Sequence, residues 1–102
     1  MKEQQIIYLN CRKKGVTNTE YKIIGHIARE LGAKVPLSGL ATDEVYNIFF
    51  NILKDVDKKN IIIVLDEINQ LSKKTKDIVM RNLMLTDLEM PDKNIVTVSV
   101  KK

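Results

Sequence analysis

Ile61-Ile62-Ile63-Val64-Leu65-Asp66-Glu67 decides how the rest of this 102-residue chain is read. Five apolar residues follow one another without alternation. A strand buried on both faces reads this way, as in the middle of a parallel sheet. The run stops at two adjacent carboxylates. Ligands of open α/β sheets bind beyond the carboxyl ends of the strands, so Asp66 and Glu67 stand where function is expected.

Outward from that strand the apolar period changes to that of helices. Upstream, Val45, Ile48, Phe49, Ile52, Leu53 and Val56 repeat at helical spacing. Thr42 is the expected N-cap of that helix, with Asp43 and Glu44 on the positive end of its dipole. Before it, Tyr21, Ile24, Ile27, Ala28 and Leu31 share one helical face over 18–31. Thr17 and Glu20 are spaced as a capping box for this helix, and Gly32 is placed to end it. Ile6-Ile7-Tyr8-Leu9 predicts a strand over 5–10. Downstream, a third helix is expected over 76–88, with Ile78, Val79, Met80, Leu83, Met84 and Leu88 as its apolar surface. Pro91 stops it, and a last strand is expected over 94–100. The order is strand, two helices, strand, helix, strand. Right-handed crossovers then give an α/β fold with a three-stranded parallel sheet.

Composition narrows the function. Apolar residues make up 44% and charged residues 29%, the balance of one globular domain. No apolar run approaches the roughly 20 residues of a membrane helix, so no membrane partner is expected. The N-terminus lacks the pattern of a secretory signal. A lone cysteine, Cys11, makes no internal disulfide, which points to a reducing, cytoplasmic setting. With one histidine, His26, the usual His/Cys zinc sites are excluded. Cys11 is expected to be a small buried residue and His26 a partly exposed one. The net charge of +4 permits nucleic-acid contact without requiring it. The basic clusters Arg12-Lys13-Lys14, Lys58-Lys59 and Lys73-Lys74 read as solvated loop ends or as phosphate contacts.

Asp66-Glu67 after an apolar strand is the pattern of a Walker B motif. The first acid of that motif helps hold Mg²⁺, usually through water. The second orients or deprotonates the water that attacks a γ-phosphate. The alternative is that both acids only end a strand and begin a turn. Gly15, Gly25, Gly32 and Gly39 do not form G-x-x-x-x-G-K-[ST], so the amide cradle for the phosphates is missing from the sequence.

Tyr8-Leu-Asn-Cys11-Arg12, Ile27-Ala-Arg-Glu-Leu-Gly32, Val35-Pro-Leu-Ser-Gly-Leu40, Thr42-Asp-Glu-Val-Tyr46 and Val64-Leu-Asp-Glu-Ile68 occur in one order with suitable gaps. This series resembles the archaeal origin-recognition and cell-division-control replication initiators, a branch of the AAA+ ATPases. The resemblance runs from about Ile6 to Val100. It implies that residues 1–102 form a single, partial AAA+ (P-loop NTPase) core with its second to fourth strands. Asp66 and Glu67 would be the Walker B acids, Asp66 toward Mg²⁺ and Glu67 as the catalytic residue. ATP and Mg²⁺ would belong to the parent protein, and this chain alone is expected to bind neither and to be inactive. Origin DNA and the replicative helicase would be the parent's partners. The helix over 18–31 and the following loop would be the extra element of the initiators. The candidate DNA contacts are Arg12, Lys13, Lys14, Leu37, Ser38 and Gly39. The family usually has Asp where Asn69 stands, and a polar sensor at the end of its fourth strand, where Val100 is followed by Lys101 and Lys102.

Two further expectations come from the topology. Crossovers in one direction put their helices on the same face, which leaves the opposite face bare unless the helix over 18–31 swings across. Since Ile61–Leu65 reads as buried on both sides, that helix repacks or two copies pair as a homodimer. The competing functional reading is an interaction or DNA-contact module without nucleotide chemistry.

Overall fold

The computed structural model describes residues 4–12 and 19–101. Three strands, β1 (Gln4–Asn10), β2 (Asn60–Asp66) and β3 (Asn94–Ser99), form one parallel sheet in the order β1-β2-β3. Helices α1 (Glu20–Glu30) and α2 (Thr42–Asp55) connect β1 to β2, and α3 (Lys73–Glu89) connects β2 to β3. The α/β class, the parallel strands and the central place of β2 are as the sequence predicts.

Strand parity sorts the sheet into two unlike faces. Ile7, Leu9, Ile61, Ile63, Leu65 and Ile95 point to one side and are buried against Ile23, Ile24 and Ile27 of α1, Val45, Phe49 and Leu53 of α2, and Val79 and Leu83 of α3. The other side carries two cross-strand rows, Ile6-Ile62-Val96 and Tyr8-Val64-Val98. Ile6 is 62% exposed and Val98 41%, while Ile62 and Val64 are half-buried. The expectation that Ile61–Leu65 is buried on both faces is therefore corrected. Helix α1 does not cross the sheet. Crossovers of one hand, each stepping to the next strand in the same direction, leave all three helices on one side.

Helix boundaries correct the predicted caps. Thr19 is the N-cap of α1, its hydroxyl accepting the Lys22 amide at 3.2 Å, in place of Thr17, which lies outside the described residues. With Thr19 as the cap, Glu20 is the first residue of the helix and not the third, so it forms no capping box; its carboxylate accepts the Tyr46 hydroxyl at 2.6 Å. Gly32, at φ 107°, closes α1 as predicted: the Ala33 and Gly32 amides donate to the Ala28 and Arg29 carbonyls in a Schellman motif. Ala41 precedes α2 as its cap residue, and Thr42 is already helical; Glu44 accepts the Ala41 amide at 3.2 Å. Helix α3 begins at Lys73, three residues early, because Ser72 caps it through the Thr75 amide at 3.2 Å. Its polar first turn hides that start from any apolar period. Met84 and Leu88 are exposed, not part of the buried surface, whereas Val79 and Leu83 are buried.

Candidate functional site

The two acids stand at the carboxyl end of the central strand, and the ladder of hydrogen bonds continues on both sides of them. The Asp66 carbonyl accepts the Cys11 amide at 2.9 Å, and the Val100 amide donates to the Leu65 carbonyl at 3.0 Å. The Ile68 amide then donates to the Val100 carbonyl at 3.0 Å. The chain is thus tied to β1 at Asp66 and to the end of β3 at Ile68. Glu67 must make the turn between those two anchors.

Glu67 makes it in the left-handed region, at φ 54° and ψ 45°. It is the one non-glycine with positive φ among the described residues. A side chain there is crowded by its own backbone, at a cost of about 1–2 kcal/mol. Glycine would make the same turn without that cost, and strain of this kind concentrates at functional sites. A short 3₁₀ turn, Ile68–Gln70, follows, with the Gln70 amide on the Glu67 carbonyl at 2.9 Å.

Asp66 is 5% exposed. Its Oδ1 accepts the Glu67 amide at 2.9 Å, and its Oδ2 accepts the Tyr8 hydroxyl. Register explains the second contact. Tyr8 pairs with Val64 and Asn10 with Asp66, so Tyr8 is the diagonal neighbour of Asp66 on the uncovered face. The hydrogen bond to Asp66 is the main cause of a raised Tyr8 pKa, with desolvation and the nearby negative charges adding to it.

Arg12 reaches the site from the end of β1: its Nη1 lies 3.7 Å from Glu67 Oε1. The Arg12 side chain is 72% exposed and that of Glu67 12%, so the pair is half in water and weakly held. Cys11 is buried, and its thiol is pushed up from 9.0 to about 11, first by burial and then by Asp66 and Glu67. It is protonated at neutral pH, in keeping with its reading as a small buried residue. His26, half-buried on α1, is the partly exposed residue expected.

Leu37, Ser38 and Gly39 are exposed in the loop between α1 and α2, with Gly39 at φ 106°. Tyr21 pins the loop, its hydroxyl donating to the Pro36 carbonyl at 3.0 Å and accepting the Leu40 amide at 3.4 Å. Tyr21 lies in the first turn of α1, whereas Glu30, in the last turn, accepts from Gln5 at the start of β1. The loop tip therefore stands at the same end of the sheet as Asp66 and Glu67. Lys13 and Lys14 lie outside the described residues. Tyr8 is the site residue that sequence reading missed. Its parity with Asp66 becomes visible only once the register of β1 on β2 is known. Among the described residues no group of three His, Cys, Asp or Glu side chains could hold a metal ion. No described helix is long and apolar enough to cross a membrane.

No family profile matches the chain. Individual proteins do. An ORC1-type DNA replication protein of Pyrococcus abyssi is 34% identical over 100 residues, 94% of this chain and 23% of that protein. One from Thermococcus onnurineus is 37% identical over 89 residues, 83% of this chain and 20% of the relative. Over most of its own length the chain is similar to ORC1-type DNA replication proteins. Solved structures agree. The Aeropyrum pernix ORC1 protein in complex with DNA superposes with a TM-score of 0.78 at 28% identity, over 96% of this chain and 24% of that one. Cdc6p from Pyrobaculum aerophilum gives 0.67 at 25% identity, again over 96% of this chain and 25% of the other. The chain thus spans about a quarter of the length of the ORC1 and Cdc6 proteins it matches, and the three-stranded parallel core is theirs.

Proposed function

We propose that residues 1–102 are part of the AAA+ domain of a replication initiator and carry the Walker B half of its ATP and Mg²⁺ site. The observation that carries this reading is the left-handed Glu67, held between two strand ends beside a tethered Asp66. A plain strand end needs no such arrangement.

The donor set suits Mg²⁺ as a half-site. Mg²⁺ is a hard cation that keeps several waters and is bound through one or two carboxylates together with substrate phosphates. Asp66 supplies carboxylate oxygens of known orientation, and the absence of a third acidic, histidine or cysteine ligand among the described residues fits a site completed by phosphate and water. Bound Mg²⁺ would supply neutralisation of charge on the phosphates. Asp66 orients the hydrated ion. Glu67, next in sequence but turned away from Asp66 by its backbone, holds the position of a water-orienting base. Arg12 lies 3.7 Å from that carboxylate and pairs with it loosely from the solvent side.

Calorimetric titration of ATP with and without Mg²⁺ tests this reading. Weak Mg²⁺-dependent binding lost in Asp66→Asn supports it. Because G-x-x-x-x-G-K-[ST] does not occur in these 102 residues, no turnover is expected from the chain itself. Turnover that disappears in Glu67→Gln would overturn that expectation.

Contact with origin DNA and recruitment of the replicative helicase are proposed for the whole protein. The DNA in the Aeropyrum complex and the exposure of Leu37 at the loop tip support the first. Arg12, Lys13 and Lys14, with Leu37, Ser38 and Gly39, are the proposed contacts. Binding to duplex DNA that weakens steeply with salt would also be compatible with a module lacking nucleotide chemistry, and the ATP titration separates the two. The uncovered rows of β-sheet side chains favour pairing of two copies of this chain, and a monomer at every concentration in sedimentation would count against it.

A further inference from the structure

We propose that Tyr8 is a positioning residue for Asp66, its hydroxyl holding the carboxylate in the orientation that receives a hydrated divalent cation. The inference rests on the reading of Asp66 as the Mg²⁺-associated acid.

Three observations lead to it. First, Tyr8 stands in the row with Val64 and Val98 on the uncovered face and is 53% exposed, a position at which β-branched residues occupy the neighbouring strands. What distinguishes tyrosine there is the hydroxyl, and that hydroxyl reaches Asp66 Oδ2. Second, the other oxygen, Oδ1, accepts the Glu67 amide at 2.9 Å. Two donors from different directions, one on the neighbouring strand and one on the next peptide, oppose rotation of the carboxylate about its terminal torsion. Third, the donor is neutral. A lysine at position 8 would orient Asp66 but add a positive charge that competes with the cation; a phenol orients it without adding charge. Groups that orient a metal-associated side chain in this way typically contribute 10- to 100-fold in metal affinity.

The test uses the 102-residue chain with ¹³C-labelled aspartate and Mn²⁺ alone as a paramagnetic substitute for Mg²⁺, raised until an ion that the half-site holds only weakly and transiently, short of stable binding, broadens the carboxyl signals. Broadening of the Asp66 carboxyl resonance, assigned by its loss in Asp66→Asn, reports the ion at that residue. Tyr8→Phe keeps the ring and removes the hydroxyl, and should need about tenfold more Mn²⁺ for equal broadening. Tyr8→Leu should lose no more than Tyr8→Phe, since the hydroxyl and not the ring is the active part. Equal or tighter Mn²⁺ binding in Tyr8→Phe overturns the proposal and leaves the reading of Asp66 standing. Absence of broadening at Asp66 in the unsubstituted chain overturns that reading, and the proposal with it.

Discussion

The guanidinium of Arg12 stands 3.7 Å from the carboxylate of Glu67, an ion pair that joins the end of β1 to the turn after β2. An Arg side chain that is 72% exposed contributes little to folding through such a contact. Arg12→Ala should therefore lower stability by no more than about 0.5 kcal/mol, and 1 M salt should erase most of the difference. Urea denaturation in low and high salt checks both. A loss well above 1 kcal/mol would mean that the pair holds the turn together.

The backbone at Glu67 leads to an unusual expectation for an acidic residue beside a structural turn. Glu67→Gly should raise stability by up to about 1 kcal/mol, because glycine occupies the left-handed region without crowding. Glu67→Ala retains the Cβ and should give no such gain. The comparison of midpoints in urea is direct, and a Glu67→Gly variant less stable than Glu67→Ala would show that no strain is stored there.

Core and surface apolar residues should separate sharply. Phe49 is fully buried between the helices and the sheet, and Phe49→Ala should cost about 3–5 kcal/mol, enough to unfold much of a small domain. Met84, 62% exposed on α3, should tolerate alanine within about 0.5 kcal/mol. Circular dichroism melts read both. A large loss on Met84→Ala would reveal a packing role absent from the exposed position.

The cysteine provides a pH test. Its folded pKa, about 11, lies above the ordinary 9.0, so the native state holds the proton longer than the unfolded chain. The corresponding stability is fully present below pH 9 and is lost as pH rises toward 11. Iodoacetamide should modify Cys11 slowly in the native chain at pH 8 and quickly in urea. Fast native labelling at pH 8 would contradict the buried, protonated thiol.

Tyr46 adds to the same alkaline limit. Burial, and then its hydrogen bond to Glu20, raise its pKa above 10.0, against a smaller opposite effect of Asn82. The Glu20-Tyr46-Asn82 cluster, with Asn82 donating to Tyr46 at 2.9 Å and to Glu20 at 3.2 Å, joins α1, α2 and α3. Stability from this cluster is complete below pH 10 and falls above it. Tyr46→Phe should lose stability at pH 7 by about 1 kcal/mol and show a shallower decline above pH 10. An unchanged alkaline slope would place the titration elsewhere.

Local pattern carried much of the fold. The helical period of Val45, Phe49 and Leu53, the unbroken run Ile61–Leu65 and the Schellman glycine Gly32 are properties of neighbouring residues, and each element formed within a few residues of its expected span. The caps of α1 and α2 did not follow from spacing alone. The cap of α1 fell at Thr19, which makes Glu20 the first helical residue and a partner of Tyr46 on α2, and Ser72 started α3 ahead of any apolar signal. The run Ile61–Leu65 also overstated burial, since apolar residues on both faces of a strand record what the strand can bury, not what covers it.

What the linear chain determined by itself was the succession of elements, the one-handed parallel order and the position of two acids at the end of the middle strand. Short-range sterics and the hydrophobic period suffice for those. Only the tertiary structure decided that Tyr8 bonds to Asp66, that Arg12 faces Glu67, that Glu67 turns left-handed and that Ile62 and Val64 lie on an uncovered face. Each depends on strand register or on which side the helices occupy, and both are set by contacts between residues some 50 to 60 positions apart.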